Sequence, residues 1–132
     1  QLGYYGRCSL DAVICDHDNV GNSIHWIECN ARWSGVSIPL AILDSIGVKS
    51  DESEMMILQE RLPGGPIDTP SALKAMGDVL YSGAPSKEGV ILMSPPMGAV
   101  SSTANLLVFA KFASDIEQIG NEAMQRLKLA SM

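Results

Sequence analysis

Between a strand-like stretch at 7–15 and a second at 24–30 rich in Ile and Trp lies Asp16-His17-Asp18-Asn19-Val20-Gly21-Asn22-Ser23. A cluster so dense in Asp, Asn and Gly marks a turn. The flanking stretches, 7–15 and 24–30, read as strands, and a short turn between strands returns the chain as an antiparallel hairpin. No other feature limits the fold as tightly, because it brings Asp11 beside Glu28 and Asn30. Side chains alternate faces along a strand, so Ser9, Asp11, Val13 and Cys15 share one face, and Ile24, Trp26, Glu28 and Asn30 share another. Pairing Cys15 with Ile24 sets Asp11 opposite Glu28. A shift of two residues sets Asp11 opposite Asn30 instead. Both registers keep the polar groups together, and a slip of one residue does not.

Two carboxylates across a strand pair repel unless positive charge lies between them. Oxygens of Asp, Glu and Asn suit a hard cation, and Mg²⁺ sites use few protein ligands while leaving positions open for substrate phosphates. The expectation is a Mg²⁺–phosphate site that is incomplete without its ligand. Acidic residues on an exposed hairpin are ordinarily a solvated face. Here, however, Glu28 and Asn30 sit among apolar residues. Arg32 follows on the same parity, where a guanidinium suits a transferred phosphoryl group or an anionic intermediate.

At these residues the chain resembles the ATP-grasp superfamily. The family signature of Gly-Tyr-x-Gly-x-x-x-x-Asp on one strand and Glu-x-Asn-x-Arg on the next stands here as Gly3-Tyr4-Tyr5-Gly6-Arg7-Cys8-Ser9-Leu10-Asp11 and Glu28-Cys29-Asn30-Ala31-Arg32. The resemblance implies that Asp11, Glu28 and Asn30 hold Mg²⁺ (or Mn²⁺) bridging the phosphates of ATP. It gives Arg32 the part of binding a substrate carboxylate or stabilising an acyl-phosphate step. Trp33-Ser34-Gly35 lies where the family has a small-residue turn before a helix, so Ser34 and Gly35 are the expected anion-binding backbone positions. The implied reaction joins a carboxylate to an amine through an acyl phosphate made from ATP. Residues 66–132 resemble the C-terminal appendage of pheganomycin-type peptide ligases, through Ser94-Pro95-Pro96, a glycine-containing loop, a strand and a closing helix. The family's glycine-rich phosphate loop and its upstream lysines do not occur in this sequence. The chain therefore reads as a C-terminal fragment, inactive alone, of an ATP-dependent ligase.

Beyond the hairpin, Ser34 to Gly47 reads as a short helix with Pro39 in its first turn and Gly47 past its end. Met55 to Leu62 reads as a strand. Pro63-Gly64-Gly65-Pro66 is the expected internal boundary, dividing a catalytic portion (1–62) from an α+β appendage (66–132). A helix capped by Asp68 or Thr69 is expected to run to about Ser82. Strands are expected over 89–94 and 105–112. The closing helix carries a Ser114/Glu117 capping box and an apolar face of Ile116, Ile119, Ala123 and Leu127. This order predicts an α+β fold, the C-terminal part of an ATP-grasp fold with a small appendage.

The 132 residues carry a formal net charge of -6, which argues against a broad nucleic-acid surface. No apolar run is long enough to span a membrane. Three cysteines without framework spacing read as reduced thiols, and the expected location is cytoplasmic. Cys8, Cys15, His17, His25 and Cys29 match no closed zinc pattern, and an unbroken strand sets His25 and Cys29 on one face, away from Glu28. No Gly-x-Ser-x-Gly elbow of a serine hydrolase is present. A reading from another class treats residues 66 onward as a binding or assembly module, covering a lid or forming a homodimer.

Overall fold

A computed structural model describes residues 8–15, 23–31, 34–49, 51–94, 96 and 102–132. The order is β1 (Ser9–Cys15), β2 (Ser23–Asn30), α1 (Ser37–Ser45), β3 (Glu54–Arg61), α2 (Thr69–Met76), a 3₁₀ turn (Gly77–Val79), β4 (Gly89–Ser94), β5 (Thr103–Ala110) and α3 (Ala113–Ala130). The fold is α+β, with two antiparallel sheets and three helices among the described residues. No described helix is long and apolar enough to cross a membrane. The expected turn at 16–22, Arg32 and Trp33, and the loop at 97–101 lie outside the described residues.

The chain divides into two compact units, Gln1–Ile42 and Leu43–Met132. The divide was expected at Pro63–Pro66. Those residues instead make a turn inside the second unit, because β3 pairs along its whole length with β5. Proline and glycine there stop a strand. They do not separate domains.

In the first unit β1 pairs antiparallel with β2. Asp11 stands opposite Glu28, as the first of the two registers requires, but the far end differs: Cys15 faces Ser23, not Ile24. A bulge between Asp11 and Ala12 absorbs the difference, leaving Ile27 on β2 without a partner. An extra residue removes one alternation. Ser9, Asp11, Val13 and Cys15 therefore share a face with Asn30, Glu28, His25 and Ser23. Leu10, Ala12 and Ile14 share the other face with Cys29, Trp26 and Ile24. The expected grouping of Ile24 and Trp26 with Glu28 is thus corrected, as is that of His25 with Cys29. One face is polar and the other apolar. Leu10, Ile14, Ile24 and Trp26 on the apolar face are each more than half exposed. A two-stranded ribbon alone is at best marginally stable in water.

The second unit holds the hydrophobic core. Its sheet has the order β3-β5-β4, all antiparallel, so β3 and β4 run parallel with β5 inserted between them. The even positions of β5 (Ala104, Leu106, Val108, Ala110) face α2 and α3, with Ile116, Ala123 and Leu127 of α3 in the same cluster. These α3 residues are the predicted apolar face, and Ile119 is packed at its margin. On the other side of the sheet Leu107 and Phe109 are fully buried, and Tyr81 meets the Phe109 ring edge-on at 5.4 Å between centroids. Gly120 lets α3 lie close to the sheet: a Cβ there would come within 2.9 Å of Met56 Cε and 3.0 Å of Leu58 Cδ1.

Helix ends departed from expectation in two places. Asp68 does cap α2, its Oδ1 accepting the Ser71 N–H at 2.8 Å. The helix then stops at Met76, six residues short of Ser82, because Gly77 turns to a φ of 56°. Arg126 closes that end, donating to the Met76 carbonyl at 2.7 Å and to Asp78 at 2.6 Å. At α3 the N-cap is Phe112, not Ser114. The Ser114 hydroxyl donates to Asp115, so the expected capping box does not form.

Candidate metal and phosphate site

Strand pairing positions the candidate ligands. Asp11 on β1 and Glu28 on β2 are direct partners, and Asn30 lies one step along the same face, opposite Ser9. The Asn30 amide donates to Asp11 Oδ2 at 3.5 Å, a long contact that shows the two side chains reaching toward one another. Asp11 and Glu28 are exposed and Asn30 is half-buried, so the oxygens open to solvent. The donor set is two carboxylates and one amide, which fits Mg²⁺ or Mn²⁺ in a solvent-open position. Among the described residues no three His, Cys, Asp or Glu side chains gather to hold a metal, and His17 lies outside them. Cys8, Cys15 and Cys29 are free thiols, as expected.

The bulge adds a residue that alternation misplaced. His25 stands on the Asp11/Glu28 face, with its Nε2 2.9 Å from Ser23 Oγ. No signal in the sequence marks it, because strict alternation along β2 puts His25 on the opposite face from Glu28.

At the other end of the polar face the first unit contains an open recess of about 370 Å³, lined by Cys8, Ser9, Ser34, Val36, Ser37 and Leu40. Three of these side chains are hydroxyls. Ser37 begins α1, but its N–H donates to the Ser34 carbonyl at 3.0 Å, the Leu40 N–H donates to the Val36 carbonyl at 3.2 Å, and Pro39 has no N–H, so the hydroxyls and not the helix backbone are what this recess offers. The Ser34 N–H is already donated to Ser37 Oγ at 3.0 Å, so its backbone is not an open anion contact. The hydroxyls of Ser34 and Ser37 lie 3.2 Å apart. Around Gly35 a Cβ would meet nothing, so that position stands open. Of the sequence-derived site, Asp11, Glu28 and Asn30 are brought together, Ser34 and Gly35 border the recess and its helix, and Arg32 lies outside the described residues. Ser9 and Ser37 were not foreseen.

The second unit holds a larger open cavity of about 570 Å³, lined by Asp51, Glu52, Ser53, Glu54, Lys87 and Lys111. It mixes three carboxylates with two lysines, and Glu52 is the one seen paired among the described residues. Glu52 receives Lys49 at 3.3 Å and Lys87 at 3.4 Å, and the hydrogen bond from Lys49, with that from Lys87 behind it, holds its carboxyl below the ordinary value. Such exposed pairs are solvated and contribute little.

The chain matches no known family model, no curated protein and no solved structure.

Proposed function

We propose that this chain supplies the metal-binding side of an ATP site in a carboxylate–amine ligase of the ATP-grasp type. The observation that carries the reading is the pairing of Asp11 with Glu28, with Asn30 in reach on the same face. Asp11, Glu28 and Asn30 would hold Mg²⁺ or Mn²⁺. The ion, when bound, would neutralise phosphate oxygens of ATP. The chain's own part is positioning and electrostatics. Asp11 and Glu28 fix the place of the cation from two strands whose register is set by backbone hydrogen bonds. Ser9, Ser34 and Ser37 offer hydroxyl contacts to an anion in the adjoining recess. Arg32, following Asn30 by two residues, would orient the substrate carboxylate and balance charge on an acyl phosphate. The ATP, acid and amine are the small-molecule partners of this reading, and cytoplasmic nucleotide chemistry is its setting.

The test is a titration of the chain with ATP in the presence and absence of Mg²⁺, followed by amide NMR shifts. Expected are Mg²⁺-dependent shifts at residues 9–11, 28–30 and 34–37, lost in Glu28→Gln. Shifts that ignore Mg²⁺, or that survive Glu28→Gln unchanged, contradict the reading.

A further inference from the structure

We propose that the outer edge of β3 is the interface of a symmetric homodimer, two copies of β3 pairing antiparallel about a two-fold axis through Leu58. The two edges of the second unit's sheet are treated differently. On the β4 side the register breaks between Leu92 and Ser94, Leu80 bridges Val90, and the Tyr81 N–H donates to the Val90 carbonyl at 2.9 Å. A bulge and a covering segment are the usual means of closing an edge. β3 has neither. Its 8 residues pair with β5 in one unbroken register from Glu54 to Arg61, and among the described residues no strand lies on its other side. It contains no proline and no lysine.

The backbone phase of that edge follows from one hydrogen bond. Leu62, the next residue along, donates its N–H to the Ser102 carbonyl of the β5 side at 2.9 Å. In an antiparallel ladder, residues bonded to the neighbour alternate with residues whose groups point away. Leu58, Glu60 and the other even positions therefore bond β5. Met55, Ile57, Gln59 and Arg61 turn their N–H and C=O groups outward, spaced as an added extended strand would bond them in place of water.

The strand is complementary to itself in one register. A two-fold relating neighbouring antiparallel strands stands perpendicular to the sheet, so each residue pairs with one on the same face. With the axis through Leu58, Met55 pairs with Arg61 of the partner subunit and Ile57 with Gln59 of the partner subunit, and the reverse. Every outward-facing residue of β3 then finds an outward-facing residue of the second β3. Moving the axis to Ile57 sets Glu54 against Glu60 of the partner subunit, and like charges directly opposite are unfavourable. Moving it to Gln59 carries Met55 past the strand end to Pro63 of the partner subunit, which has no N–H to give. Leu58 on the axis is half-buried against the core and would meet its own copy at the close spacing of a non-hydrogen-bonded pair, about 4.5 Å between Cα atoms.

The experiment compares the chain with Gln59→Pro by sedimentation velocity, together with amide hydrogen exchange on the unmodified chain. The Gln59 N–H points away from β5, so proline removes no bond of the β3–β5 ladder. The expected result is a dimer that Gln59→Pro converts to a monomer with unchanged far-UV circular dichroism. In the dimer the amides of Met55, Ile57, Gln59 and Arg61 are protected, and dilution releases them. A chain that stays monomeric at millimolar concentration overturns the proposal. So does a dimer in which those four amides exchange freely, or a folded Gln59→Pro that dimerises as well as the original. Should Gln59→Pro fail to fold, the exchange pattern of the unmodified chain decides alone.

Discussion

Replacing Gly120 with alanine sets two effects of known size against each other. Glycine in a helix interior costs about 1 kcal/mol relative to alanine, so propensity alone favours Gly120→Ala. Packing opposes it. The new methyl would lie 2.9 Å from Met56 Cε, 3.0 Å from Leu58 Cδ1 and 3.5 Å from Val108 Cγ2. Met56 Cε is the free end of a flexible side chain and can turn away. Leu58 is branched and lies against the core, so its δ-methyl must shift or lift α3. Overpacking of this kind costs about 1–3 kcal/mol. The expected balance is a loss of about 1 kcal/mol, read as a lower urea midpoint at unchanged slope. The double variant Gly120→Ala/Leu58→Val removes the obstructing methyl. Its two changes should therefore couple favourably, by about 1 kcal/mol relative to the sum of the singles. Stabilisation by Gly120→Ala with no coupling to Leu58 would mean that α3 does not lie this close to β3.

Other perturbations test separate elements. Asp68→Ala removes the side chain that accepts the Ser71 N–H, and should lower stability by about 1 kcal/mol in the same urea assay. Acid should destabilise the second unit through Asp78, with little added by the solvated Glu52 pairs. The hydrogen bond from Arg126 holds the Asp78 carboxyl below its ordinary 3.8, and the Lys49 and Lys87 bonds hold Glu52 below 4.5. Both values are depressed on folding, so the contribution is present above the unfolded values and lost as pH falls through the folded ones. The urea midpoint should be flat from neutral pH to about 5 and fall below about 4, with a shallower fall in Asp78→Asn.

The hairpin and the Asp11–Glu28 partnership were legible because a dense turn cluster and two apolar runs leave few ways to pair. The bulge at Ile27 was not, since one surplus residue in a strand has no compositional mark. Its consequence was large: it exchanged the faces of His25 and Trp26, and separated a polar side from an apolar one. The early stop of α2 depends on Gly77 and on Arg126, which reaches it from a helix far along the chain, so propensity within the segment could not show it. Met55 to Leu62 was legible as a strand but not as a member of the second sheet. Its partner β5 is distant in sequence, and the Pro-Gly-Gly-Pro turn between them imitated a boundary. Ser114 and Glu117 have the spacing of a capping box, yet the chain enters α3 earlier, at Phe112, and Ser114 lies within the helix.

In the proposed ligase, Asp11, Glu28 and Asn30 would hold a divalent ion between two strands. Paramagnetic relaxation by Mn²⁺, measured at every amide of the chain, tests it most directly. Broadening should centre on Ser9 to Asp11 and Glu28 to Asn30, be relieved by excess Mg²⁺, and disappear in Asp11→Asn/Glu28→Gln. Broadening centred on the acidic residues at 51–54, or undiminished in the double variant, would contradict it.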